Sequence, residues 1–309
     1  MNGNMPEGLR EARDLRRLSR ADARIFAVKL VVLAALSGAA VLWIVLHGWL
    51  AALPAQLLLG TMFAHAVELQ HQALHGTGLM SRRLNRWVGV ALGVPMLVSY
   101  SRYRSLHLLH HRYLGTGQDT EFFQYGYNQR LTPGRLLASA FNVRRWLEGL
   151  PDVAMSLGPV QRYEEVISSD RIRRRIRTEY RITLGFLLTL AAVWWWTGSP
   201  VLVTLWLIPL LFAEPVHVAI ELPEHLFCDR TSQNVFHSTR TVAGSWFSRW
   251  LTNANNLHVE HHLSMTTPMN KLPAVHTLIA DRIEHQSRTY WEFYREVARR
   301  AFAGDKETV

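Results

Sequence analysis

Residues 30–67 and 182–224 contain no lysine or arginine, although the 309-residue chain carries 34 of them. An apolar helix needs about 20 residues to cross a membrane. Each stretch is long enough for two crossings joined by a turn. The turns are His47-Gly48-Trp49 in the first and Thr197-Gly198-Ser199-Pro200 in the second. All the basic residues fall in the three remaining segments, RIRRRIR at 171–177 among them. Cytosolic loops of membrane proteins carry the excess of Lys and Arg, which predicts both turns outside and both termini inside. Trp194, Trp195 and Trp196 would then lie in the outer interfacial belt.

The fold class that follows is an all-α integral membrane protein. Four transmembrane helices in two hairpins would carry a helical cytosolic cap, all of it one domain, 1–309. Its expected segments are an N-terminal cytosolic arm (1–29), a first hairpin (30–67), the first part of the cap (68–181), a second hairpin (182–224) and the second part of the cap (225–309). A net charge of +10 alone would suit nucleic acid or an anionic membrane surface. The segregation of charge favours the membrane, and no nucleic-acid partner is expected.

Shorter features refine this picture. WVGVALGVPMLV at 87–98 contains Pro95. If it spanned, it would separate His71 from His107, so an interfacial or re-entrant helix is predicted. SWFSRW at 245–250 reads as an amphipathic piece on the inner leaflet. The stretch LREARDLRRLSRADAR is too long and mixed in charge for a typical signal peptide, and predicts a retained arm, amphipathic along Leu9, Leu15 and Leu18 or simply a polar tail. The lone Cys228 excludes an intramolecular disulfide and a cysteine-based zinc site, and reads as a small buried hydrophobe.

Nine of the 15 histidines fall in clusters: His71 and His75 in HQALH, His107, His110 and His111 in HLLHH, His225 in ELPEH, and His258, His261 and His262 in HVEHH. Positions i, i+3 and i+4 share one face of a helix, so HxxxH aims two rings together and HxxHH three. Neutral imidazole binds zinc, iron, copper or nickel. One HxxxH is a common coincidence, but this combination at the ends of expected spans points to ligands, and nine exceed what one ion can use. Two metals in one cavity are predicted. Of the other six, His47 and His285 read as solvated, the latter in a charged helix, His65 as a core histidine and His237 as loop. His217 is ambiguous, and His276 is structural or supports a ligand. Acceptors that could orient ligating rings are Glu68, three residues before His71, Asp119 and Glu121 after the second cluster, and Glu221, one turn before His225. Salt-bridged surface acids are the plainer reading of each. Among Asn253, Asn255 and Asn256, helix capping competes with a polar contact beside the metals, for which Asn256 is the candidate.

HQALH, HLLHH and HVEHH, in this order and with these hairpins between them, resemble the membrane fatty-acid desaturase and hydroxylase superfamily. NNLHVEHHLSMTTPMNKLPAVH is similar to its last histidine box, and ELPEH to the extra element before it. The resemblance covers roughly residues 60–280. It implies a non-haem centre of two iron ions held by eight or nine histidines, a cytosolic site, and the use of O2 with two external electrons. Two departures, Gln72 in the first box where many desaturases have an acid, and Ser264-Met265 after the last, leave the substrate open.

The function expected is an O2-dependent di-iron oxidoreductase that introduces a double bond into a fatty acyl chain or lipid-like substrate. A hydroxylase or ketolase acting on a lipid, carotenoid or specialised metabolite is the alternative within the superfamily. A membrane zinc hydrolase would need about three histidines and leave the rest idle. A metal or haem carrier is a further class, and a transporter would place ligands at mid-membrane depth. No HPGG-type haem element or flavin fingerprint is visible, so ferredoxin or another separate electron donor is expected, along with a lipid or acyl-carrier substrate.

Overall fold

The computed structural model describes residues 7–47, 49–120, 131–141, 143–158 and 167–303. The described chain is mostly helical, with one two-stranded parallel sheet. Helix α1 (Glu7–Asp14) precedes the long α2 (Arg20–Leu46), whose first turn is closed by a capping box between Ser19 and Asp22. Helix α3 (Trp49–Leu74) packs back along α2. After a turn come α4 (Arg82–Gly93), capped by Ser81, and α5 (Tyr100–Tyr113), capped by Ser99. Two amphipathic helices follow, α6 (Pro133–Phe141) and α7 (Val143–Met155).

Helix α8 (Asp170–Thr197) ends at Gly198, whose φ of 70° is the left-handed conformation that stops a helix. A π-helical stretch, Val203–Leu207, leads into α9 (Ile208–Glu221). The last part is built of short pieces: α10 (Val235–Ser238), β1 (Arg240–Val242), α11 (Trp246–Leu251), α12 (His258–Leu263), α13 (Leu272–Ile279), β2 (His285–Ser287) and α14 (Tyr290–Ala303). In the sheet Arg240 faces His285 and Val242 faces Ser287.

Among the described residues, three helices are long and apolar enough to cross a membrane: Arg20–Leu46, Ala51–Leu74 and Val203–Glu224. The fourth expected span corresponds to the second half of α8. That helix opens with an arginine-rich half, so its apolar part is confined to its C-terminal end, where Trp195 and Trp196 are almost fully exposed. The 87–98 run is the end of α4 followed by a 3-10 turn at Val94–Met96 and by Leu97 in the left-handed region. At about 1.5 Å per residue α4 is too short to span. It packs on α3 so closely that Gly93 abuts Val98 and Gln70, whose amide bonds the carbonyls of Gly89 and Val98.

Helices α3 and α9 run side by side in the same direction. Gln56 bonds the Thr204 carbonyl near their starts, Gly60 lies against Pro209 and Ala213, and Glu68 lies beside His217 and Glu221 near their ends. A side chain at position 60 would collide with the α9 backbone. The arm is docked, not frayed: Leu9 and Leu15 of the arm pack with Val259, Val275 and Ile279, and Arg16 donates to Ser264. Cys228 is buried, which pushes its thiol up to about 12.

Candidate metal centre

The centre is assembled from four places in the chain. The last turn of α3 supplies His71 and His75, α5 supplies His107, His110 and His111, the turn after α9 supplies His225, and α12 supplies His258, His261 and His262. The rings form two groups. His71, His75, His107, His111 and His261 make one, and His110, His225, His258 and His262 the other; within each, all ligand atoms lie within 4.8 Å of one another.

Each HxxHH box is divided between the groups. His107 and His111 stand in the five-histidine group while His110 stands in the four. In α12 the division is reversed, with His258 and His262 in the four and His261 in the five. Residues i and i+4 point one way and i+3 is turned far enough to reach the neighbouring group.

The Nε2 atoms face each other. His71 to His107 is 2.7 Å, His75 to His71 3.2 Å, His111 to His107 3.0 Å and His111 to His261 3.0 Å. In the other group His258 lies 3.2 Å from His225 and 3.0 Å from His262. Burial first, and then the neighbouring rings, hold His75, His107, His111, His258, His261 and His262 well below the ordinary imidazole range. Burial likewise brings His225 down to about 3. These seven rings are therefore neutral at pH 7, each with a lone pair, and converging lone pairs repel unless a cation lies among them. This donor set fits a pair of transition-metal ions.

Acceptors on the far side of three rings fix which nitrogen is free. His225 Nδ1 lies 3.0 Å from the Ser238 carbonyl, so it carries the proton and leaves Nε2 bare. His110 Nδ1 lies 2.7 Å from Asp119, and His258 Nδ1 3.3 Å from Asn255 Oδ1. The carboxylate of Glu224 approaches His258 Nε2 at 3.3 Å while accepting from the Asn255 amide at 2.7 Å.

Other expected supports are placed differently. His71 Nδ1 has no hydrogen-bond partner, and Glu68 does not reach it: Glu68 faces His217 and Glu221 across the α3–α9 interface. Glu221 lies 3.3 Å from His217, one turn away on its own helix, and not behind His225. Asn256 touches no ligand ring, because its side chain bonds Thr252 and the Val242 carbonyl and so ties the loop to β1. Glu121 lies outside the described residues.

The remaining histidines sort by contact. His47 is exposed and stacked on Trp43; His65 is buried, stacked on Trp250 and bonded to the Leu251 carbonyl. His237 is exposed, on the helical turn α10 rather than in a loop. His285 sits in β2, half-buried, not in a charged helix, because its backbone pairs with Arg240. His276 supports α12 indirectly: its Nδ1 lies 2.5 Å from Glu260, whose other oxygen accepts from Thr241. Glu224 and Glu260, two acids that matter here, were missed in the sequence although both lie inside histidine motifs.

A cleft of about 430 Å³ opens on His75, with Arg82, Arg86, Arg104 and Arg175 in its walls and no carboxylate in its lining. A wholly apolar groove of about 290 Å³ lies between α7, α8 and α9, lined by Leu97, Trp146, Leu187, Leu202 and Trp206 among others.

No curated protein matches the sequence. A sequence model of the family described as fatty acid desaturase matches residues 47–294. That span takes in residues 47–67 of the first apolar stretch, the whole of the second, all nine clustered histidines and both groups they form. The chain belongs to the fatty acid desaturase family.

Proposed function

We propose that the nine clustered histidines hold two iron ions, and that the protein uses O2 to introduce a double bond into a fatty acyl chain or similar lipid. The observation that carries this reading is the division of both HxxHH boxes between two groups of neutral, mutually facing Nε2 atoms. A hydrolytic zinc site needs about three histidines, whereas here none of the nine is left outside a group. When bound, the iron pair supplies the oxidising power that O2 needs to take hydrogen from an unactivated C–H bond.

The chain's own residues prepare that chemistry. The Ser238 carbonyl, Asp119 and Asn255 hold His225, His110 and His258 in the tautomer that leaves Nε2 available. Burial of His71, His107, His261 and His262 limits water at the centre, while His75 borders the arginine-lined cleft. The wholly apolar groove suits a hydrocarbon chain. Removing two hydrogens from the chain and reducing O2 to two waters requires two external electrons and two protons, so a separate donor is needed. The arginine-lined cleft beside His75 favours an acidic one, such as a ferredoxin.

In the membrane we infer four spans in two hairpins, with α8 as the fourth, and the histidine centre and both termini on the cytosolic side. The three long apolar helices and the arginine-rich start of α8 support this arrangement. Hydroxylation at the same centre is the second reading, since it differs only in whether oxygen or a second hydrogen is transferred.

The test is mass spectrometry of lipids and metabolites from cells expressing wild type or His261→Ala with a matched electron donor. A product two mass units lighter, present only with wild type, is expected. A gain of sixteen would make the protein a hydroxylase, and a water-addition product independent of O2 would overturn the oxidoreductase reading.

A further inference from the structure

A third cluster of ligand-type side chains lies in the α3–α9 interface, apart from the two histidine groups. Glu68 on α3 and His217 and Glu221 on α9 are all buried, and their ligand atoms lie within 4.8 Å of one another. His217 Nε2 is 3.3 Å from Glu221 Oε1. Two donors bound to one ion at about 2.1 Å each stand roughly 3.0–3.4 Å apart, so this pair is already spaced for a shared cation.

Glu68 is the observation that demands an occupant. It is 1% exposed, and neither carboxylate oxygen meets a hydrogen-bond donor at bonding geometry, although Asn255 lies on its flank. A carboxylate taken out of water without hydrogen-bond partners is costly, and a second carboxylate beside it adds repulsion. Arg145, the guanidinium in this part of the interface, is bound to Glu214 one turn earlier on α9. Tyr290 near Glu68 has a buried hydroxyl that is again without a hydrogen-bond partner. Its ionisation is pushed far up by burial and by the nearby Glu224, Tyr294 and Glu68. Unsatisfied oxygens gathered beside an imidazole are the donor arrangement that a cation site requires.

We propose that Glu68, His217 and Glu221 bind a third metal ion, a divalent first-row cation held by two carboxylates and one imidazole. The donor set is richer in oxygen than either histidine group, so it suits a harder divalent ion. The site depends on neither histidine group, because no residue is shared between them.

The test is metal content of the purified full chain, loaded with iron(II) or, separately, with manganese(II) and desalted. Wild type is expected to retain about one ion per chain more than Glu68→Gln and more than His217→Ala, in at least one of the two metals. Glu68→Gln preserves side-chain size, so its loss of an ion is read on folded, monodisperse protein. Equal contents in wild type and Glu68→Gln, with both metals, would overturn the proposal. This difference is read whether or not the histidine groups load, so the two proposals fail separately.

Discussion

The side-chain amide of Asn253 lies 2.9 Å from Gln72 Oε1, joining the loop before α12 to the first histidine box on α3. Asn253 has a φ of 52°, a left-handed conformation that Asn tolerates better than most residues. Its amide also reaches the Glu68 carbonyl, and its oxygen accepts from Lys29 of α2. One residue thus fixes the last box against two long helices. Gln72 answers with its own amide, which donates to the Thr77 carbonyl at 2.9 Å. A glutamate at this position could accept from Asn253 but, ionised, could not donate to Thr77.

Gln72→Glu is therefore expected to destabilise the protein by about 1–3 kcal/mol, the cost of leaving a buried acceptor unpaired. Asn253→Ala should cost at least as much and should weaken metal retention too. Thermal unfolding in detergent with parallel metal analysis checks both; unchanged midpoints would show that this tether is idle.

Glu179 on α8 accepts from Ser99 Oγ, Ser101 N, Ser101 Oγ and Arg86, and so locks α8 to the start of α5. Removing one partner of a buried charged network costs about 3–5 kcal/mol. Glu179→Ala should lower the unfolding midpoint by a corresponding amount, and Glu179→Gln by less. Equal, small effects would mean that the four donors find water instead.

The histidine groups make stability depend on pH in a definite direction. Burial holds His75, His107, His111, His258, His261 and His262 below the ordinary 6.5, and His225 at about 3. Between those values the unfolded chain binds protons that the folded chain refuses. Stability of the metal-free protein is thus fully present above about pH 6.5 and falls toward pH 3, by about 1.4 kcal/mol per unit for each fully buried ring. Unfolding midpoints should hold from pH 7.5 to about 6.5 and then fall toward pH 5, and a profile flat down to pH 5 would contradict neutral, buried rings.

His285 and His261 are both histidines of the last part of the chain, yet they separate cleanly by contact. His285→Ala should leave activity near wild type, because the residue contributes backbone pairing to β2. His261→Ala should abolish activity while the protein still inserts. Product formation by both variants in the same cells checks this; loss with His285→Ala would mean that the histidines have been sorted wrongly.

The sequence carried the helical class, the long apolar helices and the gathering of nine histidines, because charge exclusion and i, i+3, i+4 spacing are local signals. It could not carry the division of each HxxHH between two groups, which depends on how α5 and α12 meet α3 and the turn after α9. The supports failed for the same reason. Glu68 lies three residues from His71, yet the neighbouring helix α9 offers it His217 and Glu221 instead. Helix periodicity likewise could not show that His285 would be drawn into a strand by pairing with Arg240, 45 residues earlier in the chain.

The measurement that bears most directly on the centre is iron content of two double variants. One carries His107→Ala with His261→Ala, both from the five-histidine group, and the other His258→Ala with His262→Ala, both from the four. The account predicts that each loses about one iron relative to wild type and that neither retains oxidative activity. Full retention of iron in either folded double variant would contradict a centre of two irons divided between these groups.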